Sequence, residues 1–290
     1  MKFLKEIYKD NGRRTERKLL ASQTFHRGKN SPRKIIISRK GCSHPDFILR
    51  VPESPDSNIK KETEILEDFR KKSDIKKFIP WTKYYEYPFI SNAQEWVLGQ
   101  RYLDSSNPQK VNMAVNFLKL IQKETSRKNQ KDFKQHISEF SLPESLKKKA
   151  NDELKPITCF SHGDFSPTNI IISSDGLRIV DWEDFNFKSY PLYDPTHFVF
   201  MEEILKKKSF PTPDSFFNSL KQSLLSNQLL DTYRKKVFHF TNSEMDLYIP
   251  FYLYQRLQRY KSALKLGHWK KRYLILYEGL LEEALNSLQA

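Results

Sequence analysis

The chain has 290 residues, and 50 Lys+Arg against 35 Asp+Glu give it a net charge of +15. Hydrophobic residues make up 38% and aromatic ones 13%, so a disordered chain, which has few such groups to bury, is excluded. Only 8 glycines argue against a phosphate cradle built from glycine-rich loops.

Residues 1–30 are basic and mixed, with no apolar stretch long enough for a signal peptide. Nowhere do about 18 apolar residues run uninterrupted. Cys42 and Cys159 make no disulfide framework, and together these features predict a cytoplasmic setting. Segments 34–38 (KIIIS) and 46–52 (DFILRVP) read as two strands around a turn region containing Gly41 and Pro45. Apolar spacing predicts a helix over 59–69 and another over 110–123, the latter with Val111, Val115, Leu118 and Ile121 on one face. Between them, 96–103 holds an apolar run and Gly99. A strand pair is expected near 169–182, and the rest is mainly helical, with Pro250 starting or kinking a helix. Strands first and helices later predict an α+β protein, with a small β-rich N-terminal lobe (1–98) and a larger, mainly helical C-terminal lobe (99–290).

The chemistry concentrates in 161–183. Asp175-Gly176 is a two-residue hairpin signal between the apolar runs 170–172 and 177–180. A turn at those two residues pairs Ser174 with Leu177, and therefore Asp181 with Ile170. Asn169 then stands beside Asp181, and an amide oxygen next to a carboxylate suits a hard cation such as Mg²⁺. Asp164, five residues before Asn169 across a loop with Pro167, suits a carboxylate that orients or deprotonates an attacking hydroxyl. His162 reads as a brace for that loop, because a zinc site would need further His or Cys at ligand spacing. Taken singly, such Asp and Asn residues are ordinary turn formers. Their combination is what carries the reading.

His162-Gly163-Asp164, then Asn169, then Asp181-Trp182-Glu183 resembles the aminoglycoside phosphotransferase/choline kinase family of protein-kinase-like enzymes. The motif match covers about 25 residues, with an extension to Tyr193-Asp194. The resemblance implies a two-lobed kinase-like fold, ATP and Mg²⁺ as cofactors, Asp164 as catalytic base and Asn169 and Asp181 as metal ligands. Glu183 is then a neighbouring carboxylate, and Asp194 a helix-start residue supporting the catalytic loop, with a simple N-cap as the alternative. In DFILRVP, Arg50 stands where relatives usually carry a lysine that meets the nucleotide phosphates. Glu62 falls on the apolar stripe of the 59–69 helix, where a carboxylate needs a partner such as Arg50 unless it lies at the stripe's edge in solvent. Glu95 to Gly99, including Val97, resembles the hinge whose backbone meets adenine.

The expected partners are a nucleotide and a small-molecule acceptor. Tyr248, Phe251, Tyr252, Tyr254, Tyr260, Trp269, Tyr273 and Tyr277 read either as helical core or as a cage for a quaternary ammonium such as choline. Glu183, Asp184, Glu202 and Glu203 offer local negative charge that a polycationic aminoglycoside would want. The run from Asp181 to Phe200 is similar to bacterial relatives associated with cell-surface polysaccharide synthesis, which implies a sugar or amino-alcohol acceptor. The +15 surplus suits nucleotide phosphates, or an acceptor presented at an anionic membrane face. Two rival readings are a catalytically silent kinase-like binding protein, favoured by Arg50, and a charge-driven nucleic-acid binder, for which no recognition motif is present.

Overall fold

A computed structural model of the chain describes residues 2–12, 19–23, 33–52, 59–86, 90–101, 107–182, 184–262 and 268–289. In chain order its elements begin with α1 (Lys2–Asp10), β1 (Leu19–Gln23), β2 (Arg33–Arg39), β3 (Phe47–Val51), α2 (Ile59–Lys71), α3 (Ser73–Lys76), β4 (Thr82–Tyr85), β5 (Ser91–Glu95) and β6 (Gln100–Arg101). There follow α4 (Pro108–Thr125), β7 (Arg127–Lys128), α5 (Gln130–Ser138), α6 (Glu144–Glu153), β8 (Ile157–Ser161), β9 (Ile170–Ser173), β10 (Gly176–Ile179) and β11 (Asn186–Ser189). The remainder is helical: α7 (Tyr193–Lys206), α8 (Pro213–Ser226), α9 (Gln228–Tyr233) running into a π-helical turn (Arg234–Phe238), α10 (Asn242–Ser262) and α11 (His268–Gln289). The strands and helices expected over 34–38, 46–52, 59–69 and 110–123 are all present.

Two compact units emerge, one of 1–101 with 170–183 and the other of 102–169 with 184–290. The hairpin 170–183 thus groups with the N-terminal residues rather than with 99–290. The reason is local: β9 pairs with β6, and the Ile179 N–H donates to Phe78 O at 2.7 Å. Gly99 permits this approach, since a Cβ there would lie 2.2 Å from Ile172 O.

The first unit is built on an antiparallel sheet in the order β1-β2-β3-β5-β4. Phe47 and Leu49 of β3 are buried with Ile37, Ala93 and Tyr85, and Ile7 and Tyr8 of α1 close over them. Each such fully buried large apolar side chain stabilises by roughly 1.5–3 kcal/mol. The Tyr8 hydroxyl and the Arg39 guanidinium both donate to Asp46, which fixes α1 and β2 to the start of β3. The interface of α2 with the sheet includes a polar contact beside buried Ile59, Leu66 and Phe69. Asn92 Nδ2 donates to Thr82 Oγ1 at 2.7 Å and also to Thr63 Oγ1 of α2.

The hairpin's register differs from the expected one. Ser173 pairs with Gly176 and Ile170 with Ile179, so the turn residues are Ser174-Asp175 and Asp181 lies beyond the last paired position. Gly176 (φ +123°) enters the ladder instead of the turn, and the Ser173 hydroxyl bonds to both Asp175 and the Gly176 carbonyl. The two-residue shift keeps the face assignment, with Ile170, Leu177 and Ile179 buried.

In the second unit α4 starts at a well-formed cap. Asn107 Oδ1 accepts from the N–H groups of Gln109 and Lys110, and Pro108 occupies the first helical position. Val111, Val115, Leu118 and Ile121 are buried, as their spacing predicts. Pro250 does not start α10 but lies within it. The start is a reciprocal cap, in which the Glu244 N–H donates to Thr241 Oγ1 while Glu244 Oε2 accepts from the Thr241 N–H. Tyr248, Phe251, Tyr252 and Tyr277 are buried core residues, which resolves half of the aromatic set in favour of ordinary packing. Among the described residues no helix is long and apolar enough to cross a membrane.

Candidate active site

The loop after β8 carries the first group of candidate residues. Gly163 has a φ of +83°, and a Cβ there would lie 1.8 Å from Asp184 O, so only glycine fits. That turn sends Asp164 away from β8. The Asp164 side chain is 29% exposed, enough for a ligand to reach it. Its Oδ2 accepts from Asn169 Nδ2 at 2.8 Å, and the same amide reaches the Asp164 carbonyl at 2.9 Å. Its Oδ1 lies 2.7 Å from His197 Nε2 of α7 and 3.9 Å from Arg256 Nη2 of α10. Burial raises the Asp164 pKa, but the His197 hydrogen bond and the charges of Arg256 and Arg259 outweigh it and hold the carboxyl well below the usual carboxylate range.

His162 is buried and braces this loop. Its Nδ1 accepts the Asp164 N–H at 3.2 Å, and its own N–H donates to Asp194 Oδ2 at 2.8 Å. Asp194 Oδ1 accepts the Gly163 N–H at 3.0 Å. Asp194 sits in the first turn of α7, one residue past Tyr193, and is fully buried rather than capping the helix from outside. Arg256, also buried, donates to the Gly163 carbonyl at 3.0 Å. Arg259 reaches the same carbonyl at 3.3 Å and forms an ion pair with Asp184.

In the first unit, Arg50 Nη1 donates to Glu62 Oε1 at 2.7 Å, and both side chains are buried. Glu62 is therefore not at a solvent edge. Removing one partner of a buried ion pair leaves the other uncompensated, so Glu62→Gln is expected to cost about 3–5 kcal/mol of stability. The double variant Arg50→Met/Glu62→Met should recover most of that loss, and denaturant unfolding of the two proteins measures the difference. Glu95 ends β5, with its N–H donating to Trp81 O at 2.8 Å. Val97 follows in an irregular, half-buried stretch, and neither its N–H nor its C=O is bonded among the described residues. Asp181 adopts φ +64°, a left-handed conformation uncommon for a non-glycine residue, and its carboxylate takes no partner among the described residues. Glu183 lies outside the described residues.

Several other expectations change. Asp184 is paired with Arg259, Glu202 accepts from Asn227 Nδ2 at 2.7 Å, and Glu203 bonds Lys206 at 3.0 Å. Lys206 also lies 3.7 Å from Glu202, so each of these three described carboxylates has a cation beside it within its own unit. His197, Arg256 and Arg259 were not singled out from the sequence. A signal existed for each: His197 is three residues after Asp194 and so shares its helix face, and Arg256 and Arg259 are cations embedded in the aromatic stripe of α10.

No protein-family model matches the chain, and no curated protein matches it. Solved structures do. A choline kinase, LicA, from Streptococcus pneumoniae aligns over 99% of this chain and 98% of its own, at 14% identity and a TM-score of 0.59. A choline kinase from Cryptosporidium parvum Iowa II aligns over 99% and 95%, at 12% identity and a TM-score of 0.56. The chain has the choline kinase-like fold. The amicoumacin kinase hAmiN, solved with AMP-PNP, Ca²⁺ and Ami, aligns over 90% of this chain and 88% of its own, at 10% identity and a TM-score of 0.53. In this kinase-like fold the α+β expectation holds, with the sheet-rich unit first and the mainly helical unit second.

Asn169 spends its NH₂ on Asp164, which leaves Oδ1 as the amide's ligand atom, a hard oxygen of the type that suits Mg²⁺ alongside waters and phosphate.

Proposed function

We propose that the chain transfers the terminal phosphoryl group of ATP to a hydroxyl of a small molecule. The observation that carries this reading is the Asp164 carboxylate, ionised, partly exposed, and held by Asn169 and His197 in a loop pinned by Asp194. In the proposed reaction the acceptor oxygen forms a bond to phosphorus, the bond between phosphorus and the ADP oxygen breaks, and the hydroxyl proton passes to Asp164. Asn169 Oδ1 and Asp181 would hold Mg²⁺, which when bound neutralises phosphate charge. Arg50, kept in place by Glu62, would steady the phosphates, and the open backbone at Val97 would meet the base, with Glu95 ending the strand before it.

The choline kinase likeness and the amicoumacin kinase bound to AMP-PNP support nucleotide use by this fold. For the acceptor, the Arg256 guanidinium lies 5.5 Å from the Tyr260 ring centre and 6.0 Å from that of Tyr277. Those ring faces already carry a cation of the protein's own. This favours a sugar or polyol hydroxyl over a quaternary ammonium, in a cytoplasmic enzyme serving cell-surface polysaccharide synthesis. The +15 surplus suits an acceptor presented at an anionic membrane face.

The test pairs a binding measurement with an acceptor screen. ATP with Mg²⁺ is expected to raise the melting temperature of the wild-type protein. Asp181→Asn should lose most of the Mg²⁺-dependent part of that rise while keeping the unliganded melting temperature. Sugars, polyols, amino alcohols and aminoglycosides are then compared by ADP release. A wild-type protein that ATP and Mg²⁺ do not stabilise would overturn the reading, and stabilisation without transfer to any acceptor would identify the silent binding protein that Arg50 also suits.

A further inference from the structure

Asp164 is held from one side by a chain of buried side chains. His197 Nε2 lies 2.7 Å from Asp164 Oδ1, and on the far side of the same ring Nδ1 lies 2.8 Å from the Tyr252 hydroxyl. His197 is fully buried and Tyr252 is 1% exposed. The ring stacks against Tyr193 on one flank, with centroids 6.4 Å apart and planes at 21°, and tilts against Tyr252. Its freedom to rotate is therefore small.

A carboxylate can only accept, so the atom facing it must be Nε2–H. The opposite nitrogen could be protonated only if the ring were an imidazolium. Burial, and then the nearby Arg256 charge, push the His197 pKa down to about 4, against the pull of Asp164. In a neutral ring of that tautomer Nδ1 is an acceptor, and the Tyr252 hydroxyl 2.8 Å away donates to it. Both Asp164 oxygens then have an internal donor, Oδ1 from His197 and Oδ2 from Asn169. Neither donor carries charge, whereas the guanidinium of Arg256 stays back at 3.9 Å.

We propose that His197 is a positioning residue that sets the rotamer of the Asp164 carboxylate through a neutral Nε2–H, with Tyr252 fixing the ring. This rests on the reading of Asp164 as the group that meets the acceptor hydroxyl. The arrangement orients the carboxylate through two side-chain N–H donors, with the Arg256 guanidinium 3.9 Å from Oδ1. His197 itself takes no proton in the reaction.

Ring-nitrogen NMR of protein labelled with ¹⁵N-histidine tests this directly on the wild type, with the His197 signals assigned by their absence in His197→Gln. The expected result is a neutral ring protonated at Nε2, with a downfield, slowly exchanging Nε2–H signal that moves upfield in Asp164→Asn. An imidazolium, or a ring protonated at Nδ1, overturns the proposal. With the acceptor found by the screen, His197→Ala should lower kcat by about 10²-fold, the cost of a misplaced catalytic group, while leaving KM for ATP unchanged. His197→Gln, whose amide places an N–H near the position of Nε2–H, should recover most of that loss. An alanine variant with wild-type kcat, or a glutamine variant no better than alanine, overturns the proposal. Failure of the kinase reading would show instead as absent stabilisation of the wild type by ATP and Mg²⁺, a result the tautomer measurement does not depend on.

Discussion

Asp164→Asn is expected to lower phosphoryl transfer by about 10²–10⁴-fold while leaving ATP and Mg²⁺ binding near the wild-type level. The amide is isosteric with the carboxylate, so the loop should keep its shape, yet it cannot accept the acceptor's proton. It also places an NH₂ where either Asn169 Nδ2 or His197 Nε2–H now donates, and one of those bonds must break. His197 is fully buried and Asn169 nearly so, and the donor left without an acceptor is expected to cost about 1–3 kcal/mol of stability. Thermal shift with ATP and Mg²⁺ reads binding, and ADP release with the screened acceptor reads transfer. Near-normal transfer would remove Asp164 from the reaction. Loss of nucleotide stabilisation alongside transfer would instead make it part of the binding site.

The positive charge and low glycine count fit this chemistry in a particular way. The local charges around Asp164 are matched, with Arg256 facing Asp164 and Arg259 facing Asp184. The +15 surplus therefore lies elsewhere on the surface and does not define the reactive centre. With few glycines, the proposed transfer would leave phosphate recognition to side chains such as Arg50 and to Mg²⁺. Glycine is kept where backbone must pass close to backbone, at Gly99 and Gly163.

What the sequence made legible follows from the range of each interaction. Glu62 was readable because a carboxylate on an apolar helical stripe demands a partner, and Arg50 was the cation on the preceding strand. The hairpin was readable as a hairpin, but its register was not. The choice between turns at Ser174-Asp175 and Asp175-Gly176 is made by the Ser173 hydroxyl bonds, which no turn rule for two residues contains. Helix α1 is hidden in a basic segment, although Phe3, Leu4, Ile7 and Tyr8 line one face of it, because a nine-residue lysine-rich helix is marginal until it docks on the sheet. His197 and Arg256 meet the loop bearing Asp164 across 33 and 93 residues of chain, and only tertiary structure brings such pairs together.

Asp194→Asn is expected to cost more stability at low pH than at neutral pH, the reverse of the usual pattern for a paired carboxylate. Asp194 is fully buried, and burial pushes its pKa from the ordinary 3.8 up to about 7, against the two N–H donors of His162 and Gly163. The unfolded chain releases this proton near 3.8, whereas the folded chain keeps it until about 7. Between those values the unfolded state binds fewer protons, so the contribution of this group is full below about pH 4 and is lost as pH rises towards 7. The displacement corresponds to roughly 4 kcal/mol. The asparagine variant has no proton to lose and so lacks that slope. It does present an NH₂ to one of the two backbone N–H groups, leaving a buried donor without an acceptor at a cost of about 1–3 kcal/mol. Urea unfolding of both proteins at about pH 4.5 and about pH 8 should show the gap between them narrowing as pH rises. A gap that stays constant would mean that Asp194 is ionised throughout, held so by its two donors. The loop bearing Asp164 would then be anchored by a full negative charge instead of a neutral acid.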